Sequence, residues 1–84
     1  MLLFIVEDVF FITGRGVVLW PGLGKNIVRV GTPVRLIRPD KSVLDTKICG
    51  IAFNEFHDIL LGPEVRKEDV PLGTEVWSIE TPGS

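Results

Sequence analysis

Residues 9–20 read VFFITGRGVVLW, two apolar runs separated by a short segment that contains Gly14-Arg15-Gly16. Both glycines tolerate a positive φ, which a tight turn between paired strands requires. The runs on either side are rich in β-branched and aromatic residues, which favour strands. This stretch therefore predicts that the first strand turns back at Gly14-Arg15-Gly16 and pairs antiparallel with residues 17–20.

Similar apolar runs continue along the chain and are interrupted by Gly, Pro, Asn or Asp about every ten residues, as in small barrels and sandwiches. Val34 and Leu36 alternate with Arg35, the period-2 pattern of a half-buried strand. We expect an all-β fold, a small closed antiparallel barrel of six or seven strands. It occupies residues 1–80, and residues 81–84 form a tail. The predicted strands cover 2–13, 16–20, 25–30, 33–38, 43–53, 57–62 and 74–79.

Length and composition limit the chain to one core, since 84 residues with 45% hydrophobic content suit a single small domain. The apolar segment 1–6 meets Glu7 and Asp8 well short of the roughly 20 residues that a membrane span needs. We therefore expect neither a signal peptide nor a membrane partner. Cys49 is the only cysteine, which favours a reducing compartment such as the cytoplasm. We expect its small apolar side chain to lie in the core.

The charges are sorted along the chain although the formal net charge is only −2. Residues 9–47 hold seven basic and two acidic side chains, whereas residues 48–84 hold two basic and seven acidic ones. This sorting predicts a basic face around Arg29 and Arg35, joined by Arg15 at the hairpin tip. A polyanion can bind such a face, although the net negative charge argues against strong non-specific binding of nucleic acids.

Several short motifs occur in an order that resembles the second, non-catalytic domain of the translational GTPases, the elongation factor Tu type. The resemblance covers nearly the whole chain and implies a closed β-barrel, here expected to stand alone, with RNA or the ribosome as partner. It also implies a binding site at Glu7, Asp8, Ile12, Val18 and Leu60. The motifs are Glu7-Asp8-Val9-Phe10, Gly14-Arg15-Gly16-Val17-Val18, Val28-Arg29-Val30-Gly31, Cys49-Gly50-Ile51 and Leu72-Gly73.

Two departures from the family argue against carriage of aminoacylated tRNA. Ala52 stands where the family has an acidic residue that contacts the terminal nucleotide, and the following loop is shorter. A nucleotide-binding P-loop is also missing, because Gly24-Lys25 is followed by Asn26 and position 19 is Leu. We therefore expect no nucleotide binding and no nucleotide hydrolysis.

No group of residues in the sequence indicates catalysis, a metal or another cofactor. His57 has no second His or nearby Cys, whereas a metal site needs three or four convergent ligands. Trp20 precedes Pro21-Gly22 and is expected at a barrel mouth, where it stacks on a base or anchors a protein. Two functions stay open: an RNA- or ribosome-associated binding module, and a protein-interaction or homo-oligomerisation module that buries the apolar first strand.

Overall fold

A computed structural model of the chain describes residues 1–24, 28–52 and 57–79. These residues contain no α-helix, and no helix among them is long and apolar enough to cross a membrane. The all-β prediction is confirmed. The strands are β1 Leu2–Ile5, β2 Asp8–Ile12, β3 Gly16–Trp20, β4 Pro33–Ile37, β5 Val43–Ile51, β6 Ile59–Leu61 and β7 Glu75–Ser78, with a 3-10 turn at Lys67–Asp69.

The seven strands form one curled antiparallel sheet in the order β1-β7-β4-β5-β6-β3-β2. The longest strand, β5, makes the curl possible because its two halves have different partners. Its first half pairs with β4 and its second half with β6, and the register shifts between Ile48 and Gly50. A shift of this kind bends a strand and increases its twist, so the sheet becomes a half-barrel.

The closed barrel predicted from the sequence is wrong, because in the described part of the chain the edge strands β1 and β2 do not pair with each other. The run 2–13 divides at Val6 and Glu7, whose N–H groups donate to Thr74 and Trp20, 2.8 and 2.9 Å away. Asp8 is also in register with Trp20, so two residues oppose one, as in a β-bulge. The chain bends there, and its two halves end up on opposite edges of the sheet.

Two further predicted segments differ from the structure or lie beyond it. Residues 28–30 are not a strand; they form part of a loop in which the Thr32 N–H donates to the Arg29 carbonyl, 3.1 Å away. Residues 25–27 of the same predicted run, and the predicted tail 81–84, lie outside the described residues.

One hydrophobic core fills the concave side of the sheet. Most strands contribute every second residue to this core. The alternation predicted for β4 is confirmed, since Val34 and Leu36 are fully buried and Arg35 is exposed. Cys49 is exposed, so its predicted place in the core is wrong; Ile48 takes the inward position beside the register shift. The fully buried apolar residues include Val17, Leu19, Val34, Leu36, Ile48, Ile59, Leu61 and Val76.

Candidate functional site

The outer side of β2, β3 and β6 carries a set of apolar side chains, which we call the β2–β3–β6 face. Phe10 is in register with Val18, and Val18 with Leu60, so these three residues form one row across the strands. The row faces outwards because buried core residues alternate with it: Val9 on β2, Val17 and Leu19 on β3, and Ile59 and Leu61 on β6. The face consists of Phe10, Ile12, Val18, Trp20 and Leu60.

The three largest residues of this face are in contact with solvent. Phe10 is 49% exposed, Ile12 44% and Trp20 37%, whereas Val18 and Leu60 are half-buried between them. Two solvated aromatic rings and an isoleucine on adjacent strands are an apolar surface that a soluble domain ordinarily covers or uses. The β2–β3–β6 face is therefore a candidate binding surface.

A recess of about 250 Å³ opens at the hairpin end of this face. Its walls are the side chains of Ile12, Val18 and Leu60, and Gly50 provides a floor without a side chain. A Cβ built on Gly50 would lie 3.4 Å from the Cβ of Leu60, so a branched side chain there would occupy part of the recess. Arg15, Ile51, Ala52 and Asp58 complete the lining.

Arg15 is held at the rim of the recess by the predicted tight turn. The Arg15 N–H donates to the Ile12 carbonyl, 2.9 Å away, and the flanking Gly14 and Gly16 have φ values of 81° and 128°. The guanidinium is exposed. Ion pairs in the described residues join Arg35 to Asp45 and Arg38 to Asp69, and neither of them involves Arg15.

A carboxylate enters the same recess from the start of β6. Asp58 lies opposite Ala52, whose N–H donates to the Asp58 carbonyl, 2.9 Å away. The Oδ1 atom of Asp58 is buried and has no hydrogen-bond partner. A buried acceptor without a partner costs about 1–3 kcal/mol. Asp58 therefore lies beside Ala52 in the lining of the recess.

The acidic pair that the resemblance assigns to the site lies elsewhere. Glu7 and Asp8 are exposed where β2 begins, and Asp8 is about 13 Å along the strand from Ile12 at 3.3 Å per residue. The Asp8 carboxylate accepts the N–H of Val9, 2.8 Å away, and borders a different recess that includes Lys67. The structure therefore brings Ile12, Val18 and Leu60 together at the recess, whereas Asp8 lies at the other end of the face, in register with Trp20.

The three arginines expected to form a basic face are not brought into one recess. Arg29 is exposed in the loop before β4. Arg35 lies on β4 and makes two hydrogen bonds to Asp45, 2.8 and 2.9 Å long, which hold the pKa of that carboxyl below its usual value. Because β5 and β6 separate β4 from β3 in the sheet, Arg35 borders a different recess from Arg15.

Sequence reasoning missed Phe10, Gly50 and Asp58 as site residues. Phe10 stands beside Phe11, so alternation alone does not tell which ring faces outwards, and the pairing with Val18 decides it. Among the described residues, no group of three or more His, Cys, Asp or Glu side chains is placed to hold a metal ion. No known family model matches this chain, and no solved structure matches it.

Proposed function

We propose that this chain is a non-enzymatic binding module, similar in its motifs to the second domain of the translation factors, that binds single-stranded RNA in the cytoplasm. The observation that supports this function is the β2–β3–β6 face, in which solvated rings lie beside a recess with a cation at its rim. Proteins that bind single strands combine aromatic platforms for the bases with positive groups for the phosphates.

Each part of the face has a role in this proposal. Phe10 and Trp20 stack on unpaired bases, and the recess between Ile12 and Leu60 receives the edge of one base. Asp58, which lines the recess, accepts a hydrogen bond from an amino or imino group of that base through its carboxylate. Arg15 contacts a phosphate, because its guanidinium is exposed at the hairpin tip.

The net charge of the chain limits the affinity that this face provides. At a formal charge of −2 the whole protein does not attract a polyanion, so non-specific phosphate contacts contribute little. Stacking must supply most of the binding free energy, at about 1–3 kcal/mol per base. We therefore expect weak binding of short single strands and no binding of double-stranded RNA, whose bases are already stacked on each other.

The experiment measures the anisotropy of a fluorescein-labelled single-stranded RNA of mixed sequence during titration with the protein. Phe10→Ala removes one stacking ring and is expected to weaken binding by about 5- to 150-fold, the equivalent of about 1–3 kcal/mol. Phe11→Ala is the matched control, because Phe11 is the neighbouring, 62% exposed ring on the opposite side of β2. It is expected to leave binding unchanged within about twofold.

Two further variants separate stacking from the other contacts. Arg15→Ala removes one phosphate contact and is expected to make the slope of log binding constant against log salt concentration shallower by about one. Gly50→Val fills the recess and is expected to weaken binding while the fold is retained, since Gly50 has no positive φ. Equal losses for Phe10→Ala and Phe11→Ala, or the absence of binding at low salt, would exclude this function.

The same titration tests the expectation that the module does not carry aminoacylated tRNA. Ala52 and the short loop after β5 motivate this expectation. We expect aminoacylated and deacylated tRNA to bind equally within about twofold. A strong preference for the aminoacylated form would contradict it.

A further inference from the structure

The outer side of β1, β7, β4 and β5 carries a second exposed surface, which is formed by two rows of residues in register across these four strands. We call it the β1–β7–β4–β5 face. Val34, Leu36 and Val76 alternate with these rows and are fully buried, so the rows themselves face outwards. One row is Leu2, Trp77, Arg35 and Asp45, and the other is Ile5, Glu75, Ile37 and Val43.

Most of this face is apolar. Leu2 is 37% exposed, Ile5 49% and Val43 52%, while Ile37 and Trp77 are half-buried among them. The two half-buried residues and Arg35 line a recess of about 260 Å³. Trp and Arg in a pocket surrounded by aliphatic residues are the side chains that contribute most at protein interfaces.

The polar groups of the face bind one another rather than a missing partner. Arg35 makes its two hydrogen bonds to Asp45, and the Trp77 Nε1–H donates to Glu75 Oε1, 2.8 Å away. The two rows carry Arg35 against Asp45 and Glu75, and Lys47, the next outward residue on β5, brings the net charge of this surface to zero. A strongly charged partner would therefore gain little by binding here.

We propose that the β1–β7–β4–β5 face is the contact surface of a two-fold symmetric dimer of this protein. A two-fold axis places the same patch on both sides of the interface, which penalises any patch with a single sign of charge. A patch whose positive and negative charges balance escapes this penalty. Two copies of an apolar sheet face also pack well against each other, about 10 Å apart and with nearly aligned strands.

The size of the face determines the strength of the dimer. Four strands spaced about 4.8 Å apart, with five residues at about 3.3 Å each, cover roughly 300 Å² in projection. Standard complexes bury about 800 Å² on each partner, so this interface belongs to the small and weak class. We expect association in the micromolar range and rapid exchange between monomer and dimer.

Sedimentation equilibrium of the full chain, without RNA, tests the proposal. Val43→Lys and Ile5→Lys each place a charge on both sides of the dimer, and both are expected to raise the dissociation constant at least about tenfold. Both positions are exposed and lie on different strands, so a folding defect in one variant leaves the other informative. Leu72→Lys is the matched control, since Leu72 is 62% exposed but borders Asp8 and Val9 instead.

The proposal is supported if the wild-type protein dimerises at micromolar concentration. Val43→Lys and Ile5→Lys should then lose the dimer, whereas Leu72→Lys and Phe10→Ala should retain it. Three results would overturn it. The first is a wild-type protein that stays monomeric at high micromolar concentration. The second is a Leu72→Lys variant whose dimer is weakened as much as that of Val43→Lys. The third is loss of the dimer in Phe10→Ala. The last result would assign self-association to the β2–β3–β6 face instead.

Discussion

Replacement of Gly16 by alanine is expected to destabilise the protein strongly, because Gly16 joins the hairpin turn to the sheet. Its φ of 128° lies in a region that side chains rarely adopt, at a cost of about 1–3 kcal/mol. A Cβ there would lie 3.1 Å from the carbonyl oxygen of Leu61, a backbone atom of β6 that moves only if the strand moves. We expect a total loss of about 2–4 kcal/mol.

This loss is large compared with the stability of so small a domain. At about 0.05–0.15 kcal/mol per residue, 84 residues have an unfolding free energy of about 4–13 kcal/mol. At the middle of both ranges Gly16→Ala remains folded at 25 °C, and its Tm should be lower by roughly 10–30 °C at 4–8 °C per kcal/mol. Because the residue adjoins Arg15 and contacts the β6 strand, the recess should be distorted as well.

Urea denaturation followed by tryptophan fluorescence and circular dichroism measures the effect, with Gly14→Ala as control. Gly14 also has a positive φ, 81°, but a Cβ built there meets no atom within 4 Å. Gly14→Ala should therefore lose only about 1–2 kcal/mol, through backbone strain alone. If the two variants differ by less than about 0.5 kcal/mol, the contact with β6 has been misjudged.

Two further predictions concern the core and the Arg35–Asp45 pair. Leu36→Ala removes a fully buried side chain of β4 and should lower the unfolding free energy measured in urea by about 2–5 kcal/mol. Leu72 is exposed, so Leu72→Ala should lower it by less than about 0.5 kcal/mol. Similar losses for the two variants would contradict the buried position of Leu36. Arg35 lowers the pKa of Asp45 in the folded protein, so the pair stabilises the fold at any pH above the unfolded pKa of about 3.9. This stabilisation is lost as the pH falls through the pKa that Asp45 has in the folded protein. In dilute protein, the difference in urea midpoint between wild type and Asp45→Asn should thus shrink from pH 7 towards strongly acidic pH, and a difference that grew in acid would contradict the assignment.

Local chemistry made the hairpin predictable from the sequence. Gly14 and Gly16 flank Arg15 between two apolar runs, and no distant residue is needed to specify that turn. The observed register, with Phe10 opposite Val18 and Ile12 opposite Gly16, follows directly from it.

The composition of the candidate site was predictable only in part. The resemblance assigns Ile12, Val18 and Leu60 to one site, and the register of three strands brings them into one recess with Arg15. Asp58 could not be assigned from the sequence, because its position depends on the pairing of β5 with β6 opposite Ala52. Arg35 was misleading for a similar reason: its partner Asp45 is ten residues away and becomes its neighbour only across the β4–β5 ladder.

The sequence by itself determined the class of this protein, an all-β domain with strands near the observed positions, because turn chemistry and side-chain alternation act over a few residues. Only the tertiary structure decided whether the sheet closes and which residues form each outer face. The bulge at Glu7 and Asp8 and the register shift in β5 depend on hydrogen bonds between distant strands. A shift of one residue exchanges the buried and exposed sides of a strand, and periodicity alone does not locate such a shift.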